Sequence, residues 1–373
     1  MKLAIITQAL RTNYGGILQN YALQTVLKRK GHSVVTLQKN QKMQVLYPRY
    51  LLTIIKRIIL KIVGSYRQPI FYEKKYNHDF SIVTKNTMDF VDKYISLKVF
   101  NCLQNEINET DFDGYVVGSD QVWRPAYNNL EDTFLSFTRG WKVKRYAYAA
   151  SFGTDQWELT PEQTVSCAEL LKNFDFITFR EFSGVNLCSQ HFKSQSDHVL
   201  DPTMLLDRSD YNLLIQEGDT HESEGQLFVH LLDKTDDKLK LVDIISKEKQ
   251  WDCFSVNSEE DEHNLLAPVS KRIQPSVQQW LRSFQEAQFV ITDSFHATVF
   301  SIIFNKPFIV YANKDRGLAR FTSLLEMFGI KNRIVTSSNE YSQLKICNID
   351  YDEVNTIIHN WQIKSMSYIE KII

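Results

Sequence analysis

The sequence predicts an α/β protein made of two doubly wound domains facing a central cleft. Short apolar strands alternate with amphipathic helical stretches along the whole 373 residues. A polar stretch, residues 217–224, divides that alternation into two runs. The residues able to do chemistry gather just after the strands of both runs. Strand–helix alternation argues for parallel sheets covered on both faces, and a chain of this length accommodates two cores. Ligands of such sheets sit at the carboxyl ends of the strands.

In the first run, residues 3–7 read as a strand, followed by a loop with Gly15 and Gly16 and a helix over 17–30 that Gly31 ends. Further strands are expected at 33–37, 114–117, 146–150 and 176–179. The second run places strands at 226–232, 253–256, 289–292 and 307–311, with helices at 237–247, 276–286, 296–304 and 317–328. The expected domains are 1–210 and 225–350. Residues 351–373 form a C-terminal helix, of the kind that in a cleft architecture packs back across the first domain.

Composition narrows the classes. The formal charge of −1 provides no field towards nucleic acid. The five cysteines include no CxxC pair, which argues against a disulfide framework or a zinc site and for a reducing, cytoplasmic setting. The apolar run at the start is too short for a signal peptide. No stretch reaches the ~18 apolar residues of a membrane span. Residues 41–72 stand apart: they contain no acidic side chain, and within 46–63 Leu51, Ile54, Ile55, Ile58, Ile59 and Ile62 recur at helical spacing opposite Lys56, Arg57 and Lys61. Two readings fit, a helix packing its isoleucines on the core and a basic amphipathic helix lying in a membrane interface.

The turn FVITDSFHATVF is the most informative stretch. A buried strand ends at Thr292, Asp293 or Ser294 caps the next helix, and His296 stands in the first helical turn. Unpaired N–H groups and a positive dipole end make that turn a seat for phosphate or carboxylate. A histidine there binds an anion or moves a proton, or is a half-buried structural residue beside a capping serine. Lys314, Arg316 and Arg320 follow the next strand and suit an anionic ligand. In the first run, Asn13, Tyr14, Gly15 and Gly16 form a loop that permits close backbone approach. Gly118, Ser119 and Asp120 end another strand, and Trp123 could stack on a sugar or be core. Arg180 and Glu181 end a third strand, as a ligand clamp or a surface pair. Asp201, in VLDPT, reads as a turn residue.

Taken together, NYGGILQNYAL, VVGSDQVW, YAASFG, FREFSG, VLDPTMLL, TDSFHATVFSIIFNKPFIVY and RFTSLLEMFGI resemble the polysaccharide pyruvyl transferases, in the order of that family. The resemblance implies two Rossmann-like domains in a GT-B-like arrangement, with the acceptor on the N-terminal side and the donor on the C-terminal side. It implies transfer from phosphoenolpyruvate, without a cofactor or metal, to a hexose of a bacterial surface polysaccharide or its polyprenyl-linked precursor. A capsule or exopolysaccharide enzyme of this kind is expected in the cytoplasm, and the membrane-interface reading of residues 46–63 would place it peripherally on the inner face of the membrane. Carried over by position, Arg180 resembles an arginine that grips the donor, and His296 the histidine of an Arg-Leu-His type motif. Asp120 and Asp293 are candidate proton acceptors. Asn13, Tyr14, Gly15, Gly16, Ser119, Trp123, Ser151 and Ser294 are candidate substrate contacts. The chain departs from the family where Ser294 stands in place of arginine, so the donor's anionic groups fall to Lys314, Arg316 and Arg320. A sugar-nucleotide glycosyltransferase and a non-catalytic sugar-binding protein are the competing readings.

Overall fold

The computed structural model describes residues 1–43, 49–312, 317–344 and 348–373. The first sheet contains β1 (Lys2–Ile6), β2 (Ser33–Lys39), β3 (Leu97–Phe100), β4 (Gly114–Val117), β5 (Lys144–Ala150), β6 (Phe176–Phe179) and β7 (Asp197–His198). Its order is β3-β2-β1-β4-β5-β6-β7, every pair parallel. The second sheet contains β8 (Leu227–His230), β9 (Cys253–Phe254), β10 (Phe289–Thr292), β11 (Phe308–Tyr311) and β12 (Ile334–Val335). Its order is β12-β11-β10-β8-β9, again parallel throughout. The central strands β1, β4 and β10 are apolar runs because both of their faces are covered by helices.

The helices that bear on the site and its surroundings are α1 (Tyr14–Arg29), α2 (Arg49–Ile62), α3 (Tyr72–Val83), α4 (Val277–Glu286), α5 (Phe295–Ile303), α6 (Leu318–Met327) and α7 (Tyr351–Ile369). Asn13 caps α1 by accepting from the Gly16 N–H, and Ser294 caps α5 by accepting from the Ala297 N–H. All nine residues of α5 are buried, so its hydrophobic sequence reflects a helix enclosed on every side.

Strands β3, β7 and β12 escape sequence pattern: β7 and β12 are two residues long, and β3 is half-exposed. The expected helix over 46–63 is described from Arg49; residues 46–48 lie outside the described residues. The C-terminal helix does pack back on the first domain. Ser365 Oγ accepts from the Leu200 N–H at 3.0 Å, and Lys364 and Tyr368 both reach Asp197 at 2.7 Å.

The two sheets are joined closely. Tyr14 stacks on Trp280 of α4 at 5.2 Å and donates to the Pro275 carbonyl at 2.9 Å. Asp79 of α3 pairs with the buried Arg272 of the second half. Among the described residues no helix is long and apolar enough to cross a membrane.

Candidate active site

A cleft of about 490 Å³ lies between the two sheets, at the carboxyl ends of their strands. From the first half it receives Asn13, Tyr14, Gly15, Asp120 and Gln121, and from the second half Ser294, Phe295, His296 and Arg320. The amides of Phe295 and His296 open α5, and helical geometry gives the first amides of a helix no internal acceptor. The helix dipole adds positive potential at the same point.

Gly15 explains how the halves meet. A Cβ built on it would lie 2.1 Å from His296 Nδ1 and 2.6 Å from His296 Cβ. Only a residue without a side chain lets α1 press against the histidine. Gly16, its neighbour, has ordinary space: the nearest atom to a Cβ is Asn13 Cγ at 3.6 Å. The second glycine is buried and does not border the cleft.

Beneath the cleft lies a charged cluster that spans both halves. The Arg180 guanidinium is fully enclosed. It donates to Asp120 Oδ1 at 2.8 Å and to Asp201 Oδ2 at 2.9 Å. His296 Nε2 is 3.4 Å from Arg180 Nη1 and 3.6 Å from Asp201 Oδ2. Asp201 also accepts from Ser119 Oγ at 3.1 Å and from Thr203 Oγ1 at 2.7 Å. The Phe295 ring lies 4.5 Å from the Arg180 guanidinium and 5.9 Å from that of Arg320.

These contacts set protonation. Burial pushes Asp120 and Asp201 upward, but the opposing charges and hydrogen bonds win and hold both below the usual carboxylate range. For Asp120 the opposing charges are Arg180, His296 and Arg320; for Asp201 they are chiefly His296 and Arg180. Burial lowers Arg180, yet Asp120, Asp201 and Glu181 outweigh that and raise it. Glu181 behaves oppositely. Both its oxygens are buried without a hydrogen-bond partner, and its approach to Arg180 Nε is a long 3.7 Å. Burial therefore raises its pKa, with Arg180 only partly offsetting the effect.

A carboxyl raised in the folded state stabilises the protein below its unfolded pKa, and that contribution is lost as pH rises through the folded value. Glu181→Gln is accordingly expected to melt higher than the parent at pH 7. The gap should close as pH falls to about 4, where the unfolded glutamate also becomes protonated. Thermal unfolding across that range checks it.

Several expected contacts occupy other places. Arg180, expected to grip the donor, is closed from the cleft, and both of its terminal nitrogens are committed to carboxylates. It therefore fixes Asp120, Asp201 and His296. Trp123 is fully buried, stacked on Phe134 at 4.7 Å with its indole N–H on the Thr133 carbonyl, so neither face is open to a sugar. Ser119 and Ser151 are fully buried, and Ser151 Oγ accepts from the Gly153 N–H. Asp293 borders the cleft but is committed to Lys238 at 2.6 Å and to the Leu232 N–H at 2.7 Å. That pairing ties the loop after β8 to the start of α5 and gives Asp293 a structural task. Lys314 and Arg316 lie outside the described residues. Arg320 reaches the cleft from α6, resting on Gly317, and its Nε has no hydrogen-bond partner. Burial and the nearby Arg180 charge lower its pKa to about 10, which leaves it protonated at neutral pH.

Asp201 and Glu181 are the residues whose place sequence reasoning missed. Both follow the first strand set at its carboxyl edge, which is the one signal that could have flagged them. A second groove, of about 760 Å³, runs along the strand ends of the first sheet and shares Thr12, Asn13, Gln121 and Glu262 with the cleft. The exposed ring of Tyr127 lies on its wall.

The sequence model of the polysaccharide pyruvyl transferases matches residues 13–315. The chain belongs to the polysaccharide pyruvyl transferase family. It is thus a transferase, and the matched range takes in Asn13, Asp120, Arg180, Asp201 and His296. No curated protein matches it in sequence. Its fold is that of the GT-B enzymes. UDP-GlcNAc 2-epimerase from Neisseria meningitidis, bound to UDP-GlcNAc, superposes over 100% of both chains with a TM-score of 0.50 at 10% identity. Arabidopsis thaliana UGT89C1 complexed with UDP gives a TM-score of 0.51 at 7% identity, over 100% of this chain and 98% of that one. Medicago truncatula UGT71G1 complexed with UDP-glucose gives 0.50 at 10% identity, over 100% and 98%. At such identities the likeness is one of fold.

Proposed function

We propose that this family member transfers the three-carbon unit of phosphoenolpyruvate to two hydroxyls of one hexose, forming a pyruvate ketal on a surface polysaccharide or its lipid-linked precursor. The observation that carries the reading is the cleft itself. His296, the first amides of α5 and Arg320 converge there, and a donor bearing both phosphate and carboxylate needs converging positive groups.

The chemistry balances without a redox partner. A proton adds to the donor's methylene carbon, one sugar hydroxyl attacks the central carbon, phosphate leaves, and the second hydroxyl closes the ketal. Of the two hydroxyl protons released, one balances the new methyl group and the other leaves with phosphate. His296 serves as general acid and base or as the protonated phosphate ligand, help worth ~10²–10⁴-fold in rate. Arg320 takes the position of the anion grip in a chain that has Ser294 where many members of the family have arginine. The groove over the first sheet is the acceptor side, with Tyr127 rather than Trp123 as its sugar-stacking ring. A polyprenyl-linked acceptor would bring the protein to the cytoplasmic membrane face.

His296→Ala is expected to abolish phosphate release from phosphoenolpyruvate; the buried ring contacts Arg180 and Asp201, so the melting temperature should fall while the fold is retained, which circular dichroism checks. Near-parental turnover would remove His296 from the chemistry. Phosphoenolpyruvate alone should raise the parent's melting temperature. Stabilisation by UDP-sugars instead would favour a glycosyltransferase, and stabilisation by simple sugars alone a binding protein.

A further inference from the structure

Helix α2 presents its apolar side to solvent. Leu51, Leu52, Ile55, Ile58, Ile59 and Ile62 are between 39% and 80% exposed, and Tyr50 is the helix's one buried residue. The six fall on one helical face by their spacing, and Lys56 and Lys61 flank it. The opposite side is pinned: Arg57 holds Glu73 of α3 with both guanidinium nitrogens, at 2.6 and 2.7 Å. That pairing decides which face looks outward. The core-packing alternative is thereby excluded for Ile55, Ile58, Ile59 and Ile62, whereas Ile54, expected in the same stripe, is half-buried and Leu52 takes its place on the exposed face. A contiguous aliphatic stripe of this kind marks an interaction surface, and a helix of this length gains little stability alone in water.

Charge identifies what covers it. From Arg49 to Tyr72 there are five cations and no acid: Arg49, Lys56, Arg57, Lys61 and Arg67. A second copy docked symmetrically on this face would set lysines against lysines. An anionic surface with an apolar interior meets both the lysines and the stripe. We propose that α2 lies in the headgroup layer of an anionic lipid bilayer, aliphatic stripe inward and Lys56 and Lys61 among the phosphates. The helix follows β2, whose carboxyl end at Leu37, Gln38 and Lys39 borders the acceptor groove. Docking therefore presents that groove to lipid-borne sugars, a consequence that rests on the proposed activity, whereas the docking itself does not.

Flotation of the full-length protein with vesicles of phosphatidylcholine, with and without phosphatidylglycerol, tests the docking without any donor. The expected result is binding to the phosphatidylglycerol vesicles that weakens as salt rises. Ile55→Glu with Ile59→Glu, and separately Lys56→Glu with Lys61→Glu, should each lower partitioning by about tenfold or more, given about 1 kcal/mol per basic residue near an anionic surface. Melting temperature and phosphate release with a soluble acceptor should stay at parental levels in both. Failure of the parent to float, or unchanged flotation of both double variants, overturns the proposal. So does a dimer that Ile55→Glu with Ile59→Glu converts to monomer without any vesicle binding. A loss of phosphate release with flotation intact would fault the activity and leave the docking standing.

Discussion

Gly15→Ala is expected to lower kcat by about 10²-fold or more, because the new methyl group must displace His296. The Cβ would fall 2.1 Å from a ring nitrogen and 2.6 Å from the His296 Cβ, and neither is the free end of a flexible chain. Misplacing a catalytic group by about 1 Å costs on the order of 10²-fold, and overpacking a close contact adds about 1–3 kcal/mol of destabilisation. Gly16→Ala is the internal control. Its Cβ meets Asn13 at an ordinary 3.6 Å, so a loss of no more than a few-fold is expected. Alanine is also favoured over glycine in a helix by roughly 1 kcal/mol. Steady-state phosphate release and thermal unfolding on the pair check this. Equal activities for the two variants would mean that the contact does not position the histidine.

Arg180→Met is expected to destabilise the fold by about 3–5 kcal/mol at pH 7, since it leaves Asp120 and Asp201 buried without their shared guanidinium. The sign with pH follows from the direction of the shifts. Both carboxyls are held below their usual range, so their contribution is present above the unfolded pKa of about 4 and fades as pH falls through the lowered values. Without Arg180 both acids shift upward. The deficit of the variant should therefore be largest near neutrality and shrink below about pH 4, where protonated acids need no counter-ion. Denaturant unfolding at several pH values measures it. If Arg180 instead acted as an open donor clamp, Arg180→Met would raise KM and leave stability nearly intact.

The parallel two-sheet fold was legible because its central strands are covered on both faces and so read as apolar runs bounded by turns. The turn at Ser294 and His296 was legible for the same reason, since a buried strand running into a capped, predominantly apolar helix makes a histidine in its first turn stand out. Asp201 was not, because nothing in VLDPT says that its carboxylate lies under Arg180, 21 positions earlier in the chain. Arg180 and Glu181 looked alike to a surface pair and to a ligand clamp, and enclosure by the opposite domain decides between them. Trp123 failed for a related reason: an indole after a strand suits a sugar or a core, and Phe134 and Phe152 claim it. The glycine loop suggested phosphate approach, whereas Gly15 is small because a side chain from the other domain occupies the space. For α2 the periodicity was clear, but which face pointed inward depended on Glu73, 16 residues beyond Arg57.

Ketal transfer would take place within the cleft that joins Gly15 to His296. It is tested most directly by carbon NMR of a reaction containing phosphoenolpyruvate labelled at its middle carbon and a panel of lipid-linked and synthetic hexose acceptors. The expected result is a labelled carbon bonded to two sugar oxygens, one phosphate released per ketal, and loss of both signals in His296→Ala. No ketal with any acceptor, together with glycoside formation from a UDP-sugar, would contradict it.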